Sequence, residues 1–404
     1  MRKLGIVIIV LLLILISRER IQMQEEWESS IPKQKEKTKG TEIRVLLMDS
    51  NFAQTTHEEV QVSCKQGMTI VCGDEEKSIK ANEVIQIHPT DEKFTKGTIR
   101  VLPHKEGRIT LHHMKRSYGT PSYCGEIELF RSGNRIAIVN QLPLETYLRY
   151  VVPSEMPSSY EMEALKAQAI CARSYAYRKM QGAAYPEFRA HVDDSTSFQV
   201  YGNIESNPRT DEAVKNTEGK LLWEGEEVAD AFFFSTSCGK TTSVAVVNEI
   251  GEAYEKDLPW YRWYTSVSKP ELERILESYA QKDIGELQKI EVTKRGEGGI
   301  ALHIKATGTK GSIEVATENK IRRALADSSL MIHRQDGSKL PCSSLLPSAF
   351  FTITENNGTY EIEGGGYGHG TGMSQNGANE MAKAGKTYAE ILKFFYSGTK
   401  VVSR

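Results

Sequence analysis

The sequence predicts an α+β protein: a strand-rich N-terminal lobe followed by a mixed α/β core, without regular alternation of strand and helix. Three observations carry that expectation. β-Branched runs crowd residues 41–140, an alanine-rich helical stretch follows at Tyr160–Met180, and strands resume beyond it. In the first stretch, Ile43-Arg-Val-Leu-Leu47, Thr69-Ile-Val71, Val84–Ile87, Ile127–Phe130 and Arg135–Val139 are split by Gly, Asn and Asp. Ser132-Gly133-Asn134 predicts a hairpin turn. The helix opens with Ser158-Ser-Tyr-Glu161, which fits a capping box, and Gly182 stands just past its end. Leu165, Ala169, Ala172 and Ala176 fall on one face, and so small a stripe predicts unusually close packing. Strands are expected again around Val228–Phe234 and Leu287–Val315. Thr387-Tyr-Ala-Glu390 opens a last short helix.

The N-terminus predicts export. Arg2 and Lys3 precede the mainly apolar run Leu4–Ile16, and Arg18 and Arg20 follow it. No small-x-small cleavage site follows, so residues 1–20 read as an uncleaved signal anchor, with a cleaved signal peptide as the alternative. The run spans about 20 Å as a helix, short of a ~30 Å hydrocarbon core, and snorkelling Lys3 and Arg18 make up part of the difference. Residues 21–40 are polar and charge-rich and read as a stalk. The body then divides into the lobe at 41–140 and a core at 141–404.

With 404 residues, 39% of them hydrophobic, the chain can build real cores, and its net charge of −2 gives no footprint for nucleic acid. The six cysteines form no C-x-x-C pair. Cys64 and Cys72 are the nearest two, and inert buried thiols are the default.

Three stretches carry candidate chemistry. In Tyr147-Leu-Arg-Tyr-Val-Val-Pro-Ser-Glu-Met-Pro157, Glu155 lies between two prolines expected to hold the backbone extended at the mouth of the next helix. Val151, Val152 and Met156 surround it with apolar bulk, which would raise its pKa toward that of a neutral-pH general acid. The plainer reading is a silent acid near a helix N-terminus. The second stretch pairs Ala190–Tyr201 with Phe234-Ser-Thr-Ser-Cys-Gly-Lys-Thr241, both crowded with hydroxyls and amides suited to sugar recognition or simply to turns. A phosphate-loop reading fails because position 234 is Phe where glycine is required. The third, Gly364–Ala378, does not fit a dinucleotide-binding pattern. Its glycines instead allow close backbone approach, leaving His369, Ser374 and Gln375 as the side chains able to act.

Together these stretches resemble the stage II sporulation protein D family of peptidoglycan lytic transglycosylases. The resemblance rests on Glu145-x-Tyr147-Leu148 with Val151–Pro157, Ala164-Leu-Lys-Ala-Gln-Ala169 with Ala172-Arg173, and Gln199-Val-Tyr201. Ser235-Thr-Ser237 with Gly239-Lys240, Gly366-Tyr-Gly-His-Gly370 with Gly372-Met-Ser-Gln375, and Tyr123-x-Gly125 with Val139-Asn140 complete it. It implies Glu155 as a single catalytic acid/base cleaving the bond between N-acetylmuramic acid and N-acetylglucosamine to leave 1,6-anhydro ends. Arg173, His191, Ser237, Lys240, His369, Ser374 and Gln375 are the candidates to bind the glycan. It also implies septal wall degradation in sporulation, with glycan strands, the membrane and other cell-wall enzymes as partners. Some family members carry cysteines able to hold zinc beside the histidine. The comparable positions here are Asp193 and Phe198, and Phe198 cannot ligate, so no metal and no cofactor is expected. Two rivals remain: a non-catalytic glycan-binding enhancer of a cell-wall amidase, and a two-carboxylate hydrolase using Asp193 or Asp194.

Overall fold

A computed structural model describes residues 41–243, 246–249 and 254–403. The anchor expected over 1–20 and the stalk over 21–40 lie outside the described residues. Among the described residues no helix is long and apolar enough to cross a membrane. The chain forms two compact units. One takes the residues up to Ile109, Cys124–Leu144 and Gly182–Asp193, and the other takes Thr110–Tyr123, Glu145–Gln181 and everything from Asp194. The exchange of Thr110–Tyr123 and Gly182–Asp193 between them leaves no mark in local sequence pattern.

The first unit is built on a seven-stranded sheet. Its strands are β1 (Glu42–Leu47), β2 (Met68–Cys72), β3 (Glu75–Ile79), β4 (Ile99–Pro103), β5 (Glu126–Ser132), β6 (Arg135–Pro143) and β7 (Val192–Asp193), in the order β7-β1-β6-β5-β4-β2-β3. The expected hairpin forms: Arg135 faces Ser132, and Gly133 takes the left-handed conformation the tight turn needs. Ile43, Val45, Leu46 and Leu47 are all fully buried, as are Ile136–Val139 on the neighbouring strand. Both faces of this pair are therefore covered. β7 closes the sheet by pairing parallel to β1, Val192 opposite Val45. Cys64 and Cys72 are buried free thiols, and the other four cysteines are free as well.

The second unit is mixed α/β. α1 (Leu144–Glu155) leads through a turn into α2 (Met162–Lys179), followed by α3 (Pro208–Asn216), α4 (Lys269–Ala280), α5 (Glu318–Ala324), α6 (Gln375–Lys383) and α7 (Tyr388–Phe395). α2 is the centre: apart from Lys166, every residue from Ala164 to Ala176 is buried, so the helix is covered on all sides and not along one stripe. Alanine makes that possible, since its neighbours α3, α6, α7 and the strand Lys220–Glu224 all pack against it. The capping box expected at Ser158–Glu161 does not form. Pro157–Tyr160 closes a turn of its own, the Tyr160 N–H donating to Pro157 O at 3.0 Å, and the helix starts after Glu161. The Glu161 N–H then donates to the Asn379 side chain at 2.9 Å, a partner supplied by α6. The capping box at Thr387–Glu390 is present with both reciprocal bonds.

Beyond these helices, β8 (Lys240–Ser243), β9 (Trp263–Ser268), β10 (Leu287–Arg295), β11 (Phe351–Asn356) and β12 (Thr359–Gly364) belong to small antiparallel sheets. The core there is formed by Trp263, Leu272, Ile304, Ile332 and Ile362 among others. The glycine-rich loop leaves β12 with Gly366, Gly368, Gly370 and Gly372 all at positive φ. At Gly372 the reason is closest contact: a Cβ there would lie 1.9 Å from Phe232 O, the carbonyl that accepts from the Met373 N–H. Gly372→Ala should therefore lower the thermal midpoint, with about 1–3 kcal/mol coming from backbone strain alone. An unchanged midpoint in a calorimetric scan would show that the loop can relax around a methyl group.

Candidate active site

Glu155 is the last residue of α1. Pro153 lies inside that helix, not in extended chain, and the Met156 N–H still donates to Val152 O at 2.9 Å. The expectation of an extended Pro–x–Glu–x–Pro segment is thus corrected: Pro153 costs the helix one N–H donor, and flanking bonds carry the final turn past it. One of these is Ser154 Oγ donating to Tyr150 O at 2.6 Å. The correction changes the electrostatics. A carboxylate at a helix C-terminus is disfavoured by the macrodipole, the opposite of the silent N-terminal acid.

Val151, Val152 and Met156 are buried around Glu155, while its own side chain is half-buried. Desolvation pushes its pKa up to about 7, and only one hydrogen bond opposes that shift, from the Val200 N–H to Oε1 at 2.6 Å. The segment carrying Val200 is held on both sides. Gln199 donates from Nε2 to Ala172 O at 3.2 Å and accepts from the Tyr147 hydroxyl at 3.3 Å. Tyr201 packs against Tyr147 and Tyr150, with ring centroids 4.8 and 6.3 Å away.

Gln375, the first residue of α6, is buried and donates from Nε2 to the Glu155 carbonyl at 3.2 Å. Its neighbour Ser374 caps the helix, accepting from the Gly377 N–H at 3.1 Å, and donates to Glu255 Oε1 at 2.6 Å. Ser237 donates to the same carboxylate from its backbone N–H at 3.0 Å and from its hydroxyl to Oε2. Glu255 is fully buried, and burial raises its pKa against these hydrogen bonds. Asn376 completes the turn, donating to Thr236 Oγ1 at 2.9 Å and accepting from the Tyr160 hydroxyl at 2.6 Å.

The structure sorts the glycan-binding candidates. Gln375 meets Glu155 directly. Ser237 and Ser374 meet each other through Glu255, a residue that motif reading missed because nothing around it marks a buried acid. Arg173 is buried with its guanidinium bidentate on Glu145, at 2.7 and 2.8 Å, and donating to Val214 O and Lys220 O. Its donors are taken up inside the fold, which corrects the expectation that it lines a sugar cleft. His369 is bonded at both ring nitrogens: Nε2 pairs with Phe233 O at 2.9 Å, and Nδ1 accepts from the Thr371 N–H at 3.2 Å. Burial pushes its pKa down to about 4, so it is a neutral brace for the glycine loop. Lys240 is exposed at the start of β8. His191 lies in the first unit, where its Nδ1 accepts from the Arg44 N–H at 3.1 Å and burial, with Arg44 nearby, lowers its pKa to about 4. Among the described residues no group of three or more His, Cys, Asp or Glu side chains is placed to hold a metal ion. The Val200 N–H was also missed, since side-chain motifs do not reveal which backbone donor will meet a carboxylate.

These features define an α+β protein whose second unit presents one half-buried carboxyl with a near-neutral pKa. Residues 132–223 match the family profile described as Stage II sporulation protein, and residues 229–372 match one described only as a domain of unknown function. The chain is 32% identical over 297 residues to Stage II sporulation protein D of Bacillus subtilis (strain 168), covering 68% of this chain and 78% of that protein. It is 30% identical over 341 residues to Stage II sporulation protein D of Bacillus amyloliquefaciens, covering 75% and 90%. An Amidase enhancer of Bacillus subtilis is 32% identical over 293 residues, 63% of this chain and 40% of that protein. The chain belongs to the stage II sporulation protein D family.

The raised pKa has a consequence for stability. Glu155 binds its proton more tightly folded (about 7) than at its ordinary value of 4.5. Its contribution to folding is therefore present at low pH and lost as pH rises from about 4.5 through 7. Glu155→Gln, neutral at every pH, should be more stable than the parent near pH 8 by ~2–3 kcal/mol and equal to it near pH 4.5. Denaturant unfolding at the two pH values reads this directly. Equal stability at both would mean that the carboxylate is well solvated.

Proposed function

We propose that this protein is a lytic transglycosylase of the cell wall that acts in sporulation, with Glu155 as its single acid/base. The observation that carries this reading is the Glu155 carboxyl itself: desolvated to a pKa of about 7 and held by one backbone donor, it has both protonation states available at neutral pH. The Val200 N–H occupies Oε1, which favours Oε2 as the proton carrier. Glu155 gives that proton to the oxygen joining N-acetylmuramic acid to N-acetylglucosamine, and the C1–O bond breaks through an oxocarbenium-like transition state. The C6 hydroxyl oxygen of the same muramic acid then bonds to C1, and its proton returns to Glu155. No water is consumed, and intramolecularity supplies the effective concentration of the nucleophile.

The carboxylates a two-acid hydrolase would need are engaged elsewhere. Asp194 is buried in an ion pair with Arg116 at 2.6 Å, and Asp193 accepts from the Tyr185 hydroxyl at 2.7 Å within the first unit. The apolar run Leu4–Ile16, flanked by Arg2, Lys3, Arg18 and Arg20, would tether the protein to the cell membrane with its folded part outside the cytoplasm. A second reading, a glycan-binding enhancer of a cell-wall amidase that does not cut, is supported by the relative named Amidase enhancer.

Purified protein incubated with peptidoglycan strands should leave 1,6-anhydro ends, lighter by one water than reducing ends on a mass spectrometer. Activity should fall as pH rises above about 7 and Glu155 loses its proton. Glu155→Gln should lower turnover by ~10²-fold or more while strands still bind. Reducing ends as the main product would indicate a hydrolase, and binding without cleavage by the parent protein would favour the enhancer reading.

A further inference from the structure

The second unit has an open cleft of about 400 Å³, within the ~300–1,000 Å³ range of small-molecule sites. Three cations from separate segments line it: Lys240 on β8, Arg262 just before β9, and Arg295 at the end of β10. One carboxylate, Glu363 on β12, shares the lining. Glu363 is exposed and makes no ion pair with the cations beside it. All of these residues fall in the 229–372 segment matched only by a profile of unknown function.

The arginines are held in place before any ligand arrives. Arg262 donates from Nη1 to Cys238 O at 2.8 Å and Tyr261 O at 2.7 Å, with its guanidinium carbon 3.9 Å from the Tyr261 ring centroid. Its Nε and Nη2 remain available. Arg295 donates to Gly299 O at 2.7 Å and Phe351 O at 3.0 Å, leaving its Nε. Two planar donors fixed by backbone carbonyls lose little further freedom on binding an anion. With Arg262 and Arg295 both lining it against the single carboxylate of Glu363, the cleft attracts negative charge. Glu363 adds an acceptor suited to a hydroxyl or amide N–H standing beside the acid group.

We propose that this cleft binds the carboxylate-bearing part of a peptidoglycan strand, gripping an acid group with Arg262, Arg295 and Lys240 while Glu363 accepts from a neighbouring hydroxyl or amide. The choice of ligand rests on the proposed cell-wall function. A carboxylate on such a strand has two sources: the lactyl group of muramic acid when the peptide stem is absent, and the stem itself when it is present.

The test uses the full-length protein in detergent, carrying Glu155→Gln so that strands stay intact. Titrations are run with three probes: a neutral N-acetylglucosamine oligomer, stem-free strands and stem-bearing strands. Arg262→Gln with Arg295→Gln should weaken binding of one charged probe roughly tenfold or more and flatten its salt dependence, leaving the neutral oligomer unchanged. The probe that loses affinity identifies the source. Lys240→Gln disturbs neither arginine's backbone bonds, so it reads the cleft even where the double variant fails to fold, and should weaken the same probe roughly threefold. Unchanged affinity for both charged probes, or an equal loss for the neutral oligomer, overturns the proposal. Cleavage by the wild-type protein is scored separately. Cleavage with unaltered cleft variants sinks the cleft alone, whereas altered charged-probe binding without wild-type cleavage sinks only the transglycosylase reading.

Discussion

The first turn of α6 is the junction on which the site depends. A helix N-terminus leaves backbone N–H groups without partners, and Ser374 meets that need by capping Gly377. Each of the three residues at this turn also holds a different piece of chain: Ser374 the Glu255 carboxylate, Gln375 the Glu155 carbonyl, Asn376 the Ser235–Thr236 segment and Tyr160. Space is as restrictive as bonding. A Cβ at Gly377 would stand 3.1 Å from the Glu255 carboxyl, so the buried acid sits against the helix end because glycine is there.

A second support comes from the pairing of α1 with α2. Arg173 grips Glu145 through both oxygens from inside the fold, and its remaining donors reach carbonyls of the α3 region. Removing one partner of such a pair leaves a charge without compensation, so the geometry of the start of α1 is tightly specified. The far end of α1 is the contrast. There the chain places an acid where burial and the helix dipole both oppose its charge, and supplies one backbone N–H in return. The strongly satisfied end anchors the helix; the poorly satisfied end carries the carboxyl with the near-neutral pKa. A carboxyl destabilised as an anion inside a rigid frame is the usual arrangement for proton transfer near neutral pH.

Secondary structure was largely legible from local pattern. The β-branched runs at Ile43–Leu47 and Arg135–Val139, the hairpin at Gly133 and the capping box at Thr387 all formed, because period, turn chemistry and capping act over a few residues. Glu155 was singled out from its apolar neighbours, and the glycine loop from its spacing. Pro153 misled: a proline two residues before Glu155 reads as extended chain, yet tertiary packing keeps it inside a helix. The capping box at Ser158 misled in the same way, since a competing turn and the Asn379 side chain took its place.

Composition and order along the chain thus sufficed for the fold class and for most elements. Only the folded chain decided what that carboxyl touches, that Arg173 faces inward, that His369 is bonded at both nitrogens, and that Glu255 lies beneath Ser237 and Ser374. The physical reason is range. Propensity, periodicity and caps are settled within one or two turns of chain, whereas desolvation and hydrogen bonding at Glu155 depend on Val200 and Gln375, distant in sequence and brought close only by packing around α2.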